Sequence, residues 1–295
     1  MNFKFQTSNI KSEIGIVADE GGDLPKDLIN KNKISIVPFK VDLGEMKDLF
    51  GNIYQKIKEA EKRGLKSFVK TSQPSPGDFL KIFREKLEEF KDIICITVTS
   101  KHSGTFNSAL QAREFLSEKN RIHVLDSMSV SGGEGLIILK AISLIEKGFK
   151  IKEVLEKLKE SIFKTKLIFI LENPKWAEAS GRIPKILGAI LRKMQNLGFY
   201  PILTLKRGKV GLLTIKKEVK DLSSALFDEF KSRILKEKSE IKIAITHADN
   251  EKEAKKLETM IQRIKNCKIE FKNIIGNIVG GLSGPGALAL SWQVE

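Results

Sequence analysis

What most restricts the fold of this chain is a repeated change of hydrophobic period. Short apolar runs alternate with longer segments in which apolar residues recur every three to four positions. An unbroken or alternating apolar run fits a pleated strand, a period near 3.6 fits a helix packed on one face, and their alternation is the pattern of βαβ units. In the first half, residues 14–18, 34–41, 93–99 and 122–125 read as strands, with helices at 45–62, 76–90 and 105–117. In the second half, strands are expected at 167–171, 202–205, 212–215 and 241–246, and helices at 151–163, 219–235 and 251–264. The expectation is an α/β protein with largely parallel or mixed sheets. A chain of 295 residues suits two α/β lobes, divided near residue 160 into an N-terminal lobe of 13–160 and a C-terminal lobe of 161–295.

Several function classes are disfavoured at this stage. The longest apolar runs, 93–98 and 167–171, are strand-sized. A membrane span needs about 20 apolar residues, so no transmembrane segment is expected. Residues 1–12 mix polar and charged side chains with no apolar stretch. No secretory signal is expected there, and the cytoplasm is the expected location. Cys95 and Cys267 offer no repeated metal spacing and read as reduced thiols. His102, His123 and His247 are dispersed, and no metal site is expected.

The net charge of +15 is uneven: residues 1–147 carry 23 basic and 20 acidic side chains, a balance of +3, and residues 148–295 carry 29 and 17, a balance of +12. A basic half suits an acidic protein partner or transient contact with an anionic membrane surface, and it equally suits a lysine-rich solvated surface. Nucleic acid is not expected, because the lysines are interleaved with glutamates and only 2 Trp and 2 Tyr are available for stacking.

Ligands of open α/β sheets bind where strands end and helices begin. Two such loops stand out. Residues 70–78 close on a helix start with Ser75 as cap, Pro76 in the first helical position and Asp78 in the first turn. Residues 99–105 join a strand to the next helix through Ser103, Gly104 and Thr105. Hydroxyls beside the free N–H groups of two helix N-termini suit one carboxylate or phosphate. They equally suit simple capping. Residues 283–289 contain G-x-G-x-x-A without room for a following βαβ unit and read as a tight turn. No P-loop, nucleophile elbow or H-E-x-x-H occurs.

Read together, the loops resemble those of a known family. Thr71-Ser72-Gln73-Pro74-Ser75-Pro76-Gly77-Asp78-Phe79, Ser103-Gly104-Thr105-Phe106-Asn107-Ser108-Ala109, Asp126-Ser127 with Gly132 to Gly135, Gly181-Arg182-Ile183, Pro201-Ile202-Leu203 and Gly284-Pro285-Gly286 are similar in order and spacing to the DegV family. The resemblance runs over nearly the whole chain, as one DegV-like unit of about 13–293. It implies a lipid-binding protein without catalytic residues or cofactor, which buries a long-chain fatty acid between its lobes with the tail in an apolar tunnel. It also implies a partner, a fatty acid kinase that phosphorylates the bound acid for phospholipid synthesis. By position, Thr71 and Ser103 match the carboxylate-binding hydroxyls. Ser72, Gly104 and Ser283 fall in the same fatty-acid-binding motifs, and Arg182 matches an arginine serving the head group or the partner.

Two positions depart from the family pattern. Ala18-Asp19-Glu20 stands where Thr-Asp-Ser is usual, and Leu282 stands where a histidine is usual. The alternative reading is a serine-dependent hydrolase or transferase of acyl substrates, with Ser103 or Thr71 as nucleophile and His102 or His247 as base. His102 and Ser103 are sequence neighbours, which rarely face each other as base and nucleophile.

Overall fold

The computed structural model of the protein describes residues 12–217 and 219–295. Residues 1–11, on which the expected absence of a secretory signal rests, lie outside the described residues. The first half runs β1 (Ser12–Asp19), α1 (Lys26–Lys31), β2 (Ser35–Val37), β3 (Lys40–Asp42), α2 (Ile53–Lys62), β4 (Lys70–Ser72), α3 (Pro76–Glu89), β5 (Phe90–Thr97), α4 (Thr105–Glu114) and β6 (Ile122–Asp126). Two long helices follow, α5 (Gly132–Glu146) and α6 (Ile151–Lys164). Strands β2, β1, β5 and β6 form a four-stranded sheet in that order, and every pair is parallel. Its central strands are buried on both faces. Ile14, Ile16, Ile94 and Ile96 pack toward α5, whereas Val17, Ile93 and Cys95 pack with Phe79 and Phe83 of α3.

The second half runs β7 (Lys166–Ile170), α7 (Lys175–Ala179), α8 (Lys185–Asn196), β8 (Tyr200–Lys206), β9 (Lys209–Lys216), α9 (Leu222–Ile234), β10 (Ile241–His247), α10 (Glu251–Ile261), β11 (Cys267–Ile274), α11 (Asn277–Ser283) and β12 (Leu288–Val294). Its sheet order is β11-β10-β12-β7-β8-β9. Only β10 and β11 pair in parallel, so this sheet is mixed. Arg207 and Gly208 both take positive φ between β8 and β9, the geometry a two-residue hairpin needs to match strand twist.

Two expected elements are broken by their own residues. Pro38 cannot donate to a ladder, and the expected strand at 34–41 splits into β2 and β3, which belong to different sheets. The expected helix at 45–62 starts only at Ile53, because Gly51 takes φ +94 and Asn52 closes a capping box with Gln55. A short 3-10 turn at Gly44–Met46 is all that forms before it.

Helix α5 sets the relation between the halves. It touches β1 and β5 of the first sheet and β7, β10 and β12 of the second, forming a layer common to both. A side chain at Gly135 would meet the Gly22 carbonyl oxygen at 2.8 Å from one half and the Phe271 ring at 2.7 Å from the other. One at Gly132 would meet Ala244 and Ser291 at 3.0 Å each. Close approach to two sheets at once therefore requires these glycines. The expected division at residue 160 lies inside α6. Among the described residues, no helix is long and apolar enough to cross a membrane.

Candidate functional site

Away from α5 the halves meet again where Met46, Tyr54, Ile57 and Val69 pack with Leu171, Trp176 and Ile275, and a cavity lies between them. Its walls follow from two simple periods. On β7 and the residue after it, Leu167, Phe169 and Leu171 face the cavity, while the alternate Ile168 and Ile170 face the core beneath α9 and α10. On and just before α11, Ile275, Ile278, Val279 and Leu282 line it at helical spacing. Leu205 and Val210 close it from the β8–β9 hairpin. The space open to the centre of a water molecule is about 150 Å³. That is roughly ten times what one water requires.

The polar groups on this lining are few. They are Thr71, Thr99, His102, Ser103, Ser131, Arg182 and Ser283, and no acidic residue is among them. Thr71 is the middle residue of β4 in the short β3–β4 ribbon, opposite Val41. Gln73, two residues on, lies against Gly104, where an added Cβ would fall 2.1 Å from its amide oxygen, and its amide donates to Ser108 Oγ at 3.1 Å. This packing brings the Thr71 and Ser103 loops together. The loop of residues 98–103 is itself pinned: the Asp126 carboxylate accepts from Ser100 N–H at 3.2 Å, and Thr99 N–H donates to Ser129 O at 2.8 Å. Two bonds tie it to the other half. Thr99 Oγ1 donates to Gly208 O at 3.1 Å, and Val210 N–H donates to His102 Nε2 at 3.0 Å.

Arg182 is half-buried and turned inward. Its Nη1 donates to Ser180 O at 2.7 Å, and its Nη2 reaches Thr71 Oγ1 at 3.4 Å, a long contact. The neighbouring Gly181 takes φ +74 and leaves open space around its own Cα, yet the guanidinium does not project outward. Burial draws Arg182 below its ordinary pKa without neutralising it. It makes no ion pair with any described residue. Burial, reinforced by Arg182 and Lys209, holds the pKa of His102 below its ordinary value, so the ring is neutral at pH 7.

The cavity thus brings together Thr71, Ser103, Arg182 and Ser283. Ser72, on the other face of β4, is exposed and off the lining, and Gly104 contributes the close approach to Gln73 rather than a lining surface. Of the two helix starts expected to rim one site, α3 does not reach the cavity, because Ser75 Oγ is committed to a capping box with Asp78. The start of α4 adjoins it, but with Gly104 as cap and the Ser103 hydroxyl bonded to Thr105 Oγ1 at 2.7 Å. Ser283 makes only a long contact, 3.4 Å, to Gly280 O. Thr99, Ser131 and the apolar walls were not singled out from sequence, and His102 was considered only as a base. The walls had no separate signal, because Leu167 to Leu171 is a continuous apolar run whose cavity-facing and core-facing residues are alike in character.

A buried carboxyl cluster lies behind the cavity. Ser131 donates to Asp23 Oδ2 at 2.6 Å and shares a bond of 2.8 Å with Thr246 Oγ1. Asp23 Oδ1 also accepts from Gly276 N–H at 2.8 Å. Asp19 accepts from Gly21 and Val98 N–H, both at 2.8 Å. Glu134 of α5 lies beside it, fully buried, with neither oxygen hydrogen-bonded in good geometry. Burial pushes the carboxyls of Asp19 and Asp23 up to about 7 and that of Glu134 well above the usual range.

Comparison with known proteins places this architecture. The family model described as an uncharacterised protein of the DegV family matches residues 13–295. A DegV domain-containing protein of Clostridium acetobutylicum is 30% identical over 277 residues, 92% of this chain and 95% of its own. A fatty acid-binding protein of Thermotoga maritima is 27% identical over 294 residues, 96% of this chain and 98% of its own. A solved structure showing fatty acid binding of a DegV family protein from Thermus thermophilus is similar with a TM-score of 0.84 and 26% identity, covering 96% of this chain and 100% of that one.

Proposed function

This chain belongs to the DegV family, and from that premise we propose that it binds one long-chain fatty acid, the tail against the apolar walls and the carboxylate at Thr71, Ser103 and Arg182. The observation that carries the reading is the charge balance of the cavity. Arg182 is the one charged side chain on a lining otherwise made of apolar groups, hydroxyls and the neutral His102 ring, and it has no carboxylate partner among the described residues. A half-buried guanidinium without a counter-ion favours an anionic ligand. The apolar walls favour a hydrocarbon tail, at about 0.8 kcal/mol for each methylene removed from water. An ionised carboxylate alone would be costly to bury, and hydroxyl and guanidinium donors offset that cost.

What supports a binder over a hydrolase is the state of the candidate pair. The Ser103 hydroxyl is engaged with Thr105, and His102 Nε2 accepts from Val210 N–H, so neither serves the other. His247 binds Glu251 and accepts from Asn250 N–H, and it does not line the cavity. The test is titration of lipid-stripped protein with palmitic acid and with its methyl ester. The acid is expected to bind. Thr71→Ala and Ser103→Ala are each expected to weaken it about tenfold or more, since a bond to an ionised acceptor is worth roughly 1.5–3 kcal/mol. Equal binding by the double variant and the parent contradicts the assignment, and a saturable Ser103-dependent esterase would favour the enzyme.

The wider role we propose rests on the family resemblance and the basic second half: in the cytoplasm, the protein presents its acid to an acidic fatty acid kinase for phospholipid synthesis. Transient contact with a membrane surface belongs to the same proposal. Steering by surface charge is screened beyond about 8 Å at physiological ionic strength. Association with the kinase and acyl phosphate formation, followed in source lysate, are therefore expected to weaken as salt rises. Salt-independent association would contradict the electrostatic part.

A further inference from the structure

We infer that His102 is a ligand-binding residue that reads the head group through Nδ1, and that its tautomer is set from the opposite half of the molecule. The inference rests on the fatty acid reading above and adds a donor to it. The ring lines the cavity together with Ser103, Thr71 and Arg182. Val210 N–H donates to Nε2 at 3.0 Å, so Nε2 carries no proton. A neutral imidazole holds one proton, and with Nε2 acting as acceptor that proton sits on Nδ1. Nδ1–H then has no acceptor among the described residues. The groups facing the ring keep it neutral: Arg182 precedes α8 and Lys209 starts β9, and both oppose a second positive charge. A neutral donor flanked by an arginine suits an ionised carboxylate oxygen.

The arrangement has a structural consequence. Val210 lies on the β8–β9 hairpin and itself lines the cavity, while Thr99 Oγ1 holds Gly208 O in the turn of the same hairpin. The imidazole therefore spans from the hairpin of one half to the ligand, with its own backbone in the other. From α11 the cavity receives Ile278, Val279 and Leu282, none of which can donate, and the hydroxyl of Ser283, so the histidine adds a donor to a rim with few others. Glutamine at this position can accept from Val210 and donate to a ligand at once; leucine can do neither.

The test separates head group from tail by comparing palmitic acid with hexadecanol, which has the same chain and no charge. His102→Leu is expected to weaken binding of the acid about ten- to hundredfold and leave the alcohol within about twofold, with His102→Gln recovering part of the loss. Equal losses for acid and alcohol would make His102 a structural tie only, and no loss would remove it from the site; either result overturns the inference while leaving the fatty acid reading intact. If the parent binds no fatty acid, the reading itself fails and the inference with it. Nitrogen-15 NMR of the unmodified protein gives an answer that does not depend on variants folding. His102 is expected to show the Nδ1-protonated tautomer, with the Nδ1 resonance moving on addition of palmitic acid and not of hexadecanol. The Nε2-protonated tautomer, or a resonance that the acid does not move, overturns the inference.

Discussion

Two of the contacts between the halves of the molecule are opposite in character. Along α5 the contact is buried and close-packed, with Gly132 and Gly135 admitting the second half to within van der Waals distance and Asp23, Ser131, Thr246 and Gly276 bonded across. On the polar side of the cavity the halves are joined through a long contact of Arg182 with Thr71, one bond from Thr99 to Gly208 and one from Val210 to His102. Close packing fixes the first, and a few polar ties bound the second. Interiors packed like crystals resist displacement, whereas a seam held by isolated hydrogen bonds can admit a ligand. The lesson is that α5 positions the cavity, and the rim groups set the polar chemistry it offers.

The largest effect is expected where the closed seam is broken. Gly135→Leu would drive a side chain into the Gly22 carbonyl and the Phe271 ring, and it should destabilise the fold by roughly 3 kcal/mol or more. Urea unfolding measures this; a midpoint equal to that of the parent would show that the α5 contact is loose. At the open seam, Arg182→Ala should leave the urea midpoint near the parent's and weaken palmitic acid about ten- to hundredfold, because the guanidinium turns into the cavity. Unchanged lipid affinity with loss of a kinase partner would instead assign Arg182 to the partner surface.

A smaller effect separates the seams by pH. The carboxyls of Asp19 and Asp23 have folded pKa values raised to about 7 against an unfolded value near 4, so the native state holds protons that the unfolded state releases. Their contribution to stability is complete below about pH 4 and is lost as pH rises toward 7. Stability to urea should therefore fall between about pH 4 and pH 7, and Glu134→Gln should flatten that slope and raise stability at the upper end by about 1–2 kcal/mol. A slope unchanged by the substitution would place the titration elsewhere. The smallest effect is expected for Ser72→Ala. This exposed residue lies off the cavity, and both lipid affinity and stability should stay within about 0.5 kcal/mol.

The same contrast governs what was legible in the sequence. The parallel first sheet was readable because its strands are separated by amphipathic helices, and α3 carries its own start signal in Ser75, Pro76 and Asp78. Helix α5 was not read: it is apolar nearly all round, as a helix between two sheets must be, and its glycines read as loop. Strand β12 is buried at six of its seven positions and shows neither period. The hydroxyls of Thr71 and Ser103 were findable from their loops. The contact of Arg182 with Thr71 spans 111 residues and that of His102 with Val210 spans 108, and only the packing of one half against the other brings them together.

The cavity's ligand is tested most directly by native mass spectrometry of the protein as purified. The structure and the family predict one added mass of long-chain fatty acid size per chain, diminished in the Thr71→Ala/Ser103→Ala double variant and in Arg182→Ala. A bare mass that gains nothing on incubation with palmitic acid, or an adduct that the double variant retains as fully as the parent, would contradict a cavity built to hold a fatty acid by its carboxylate.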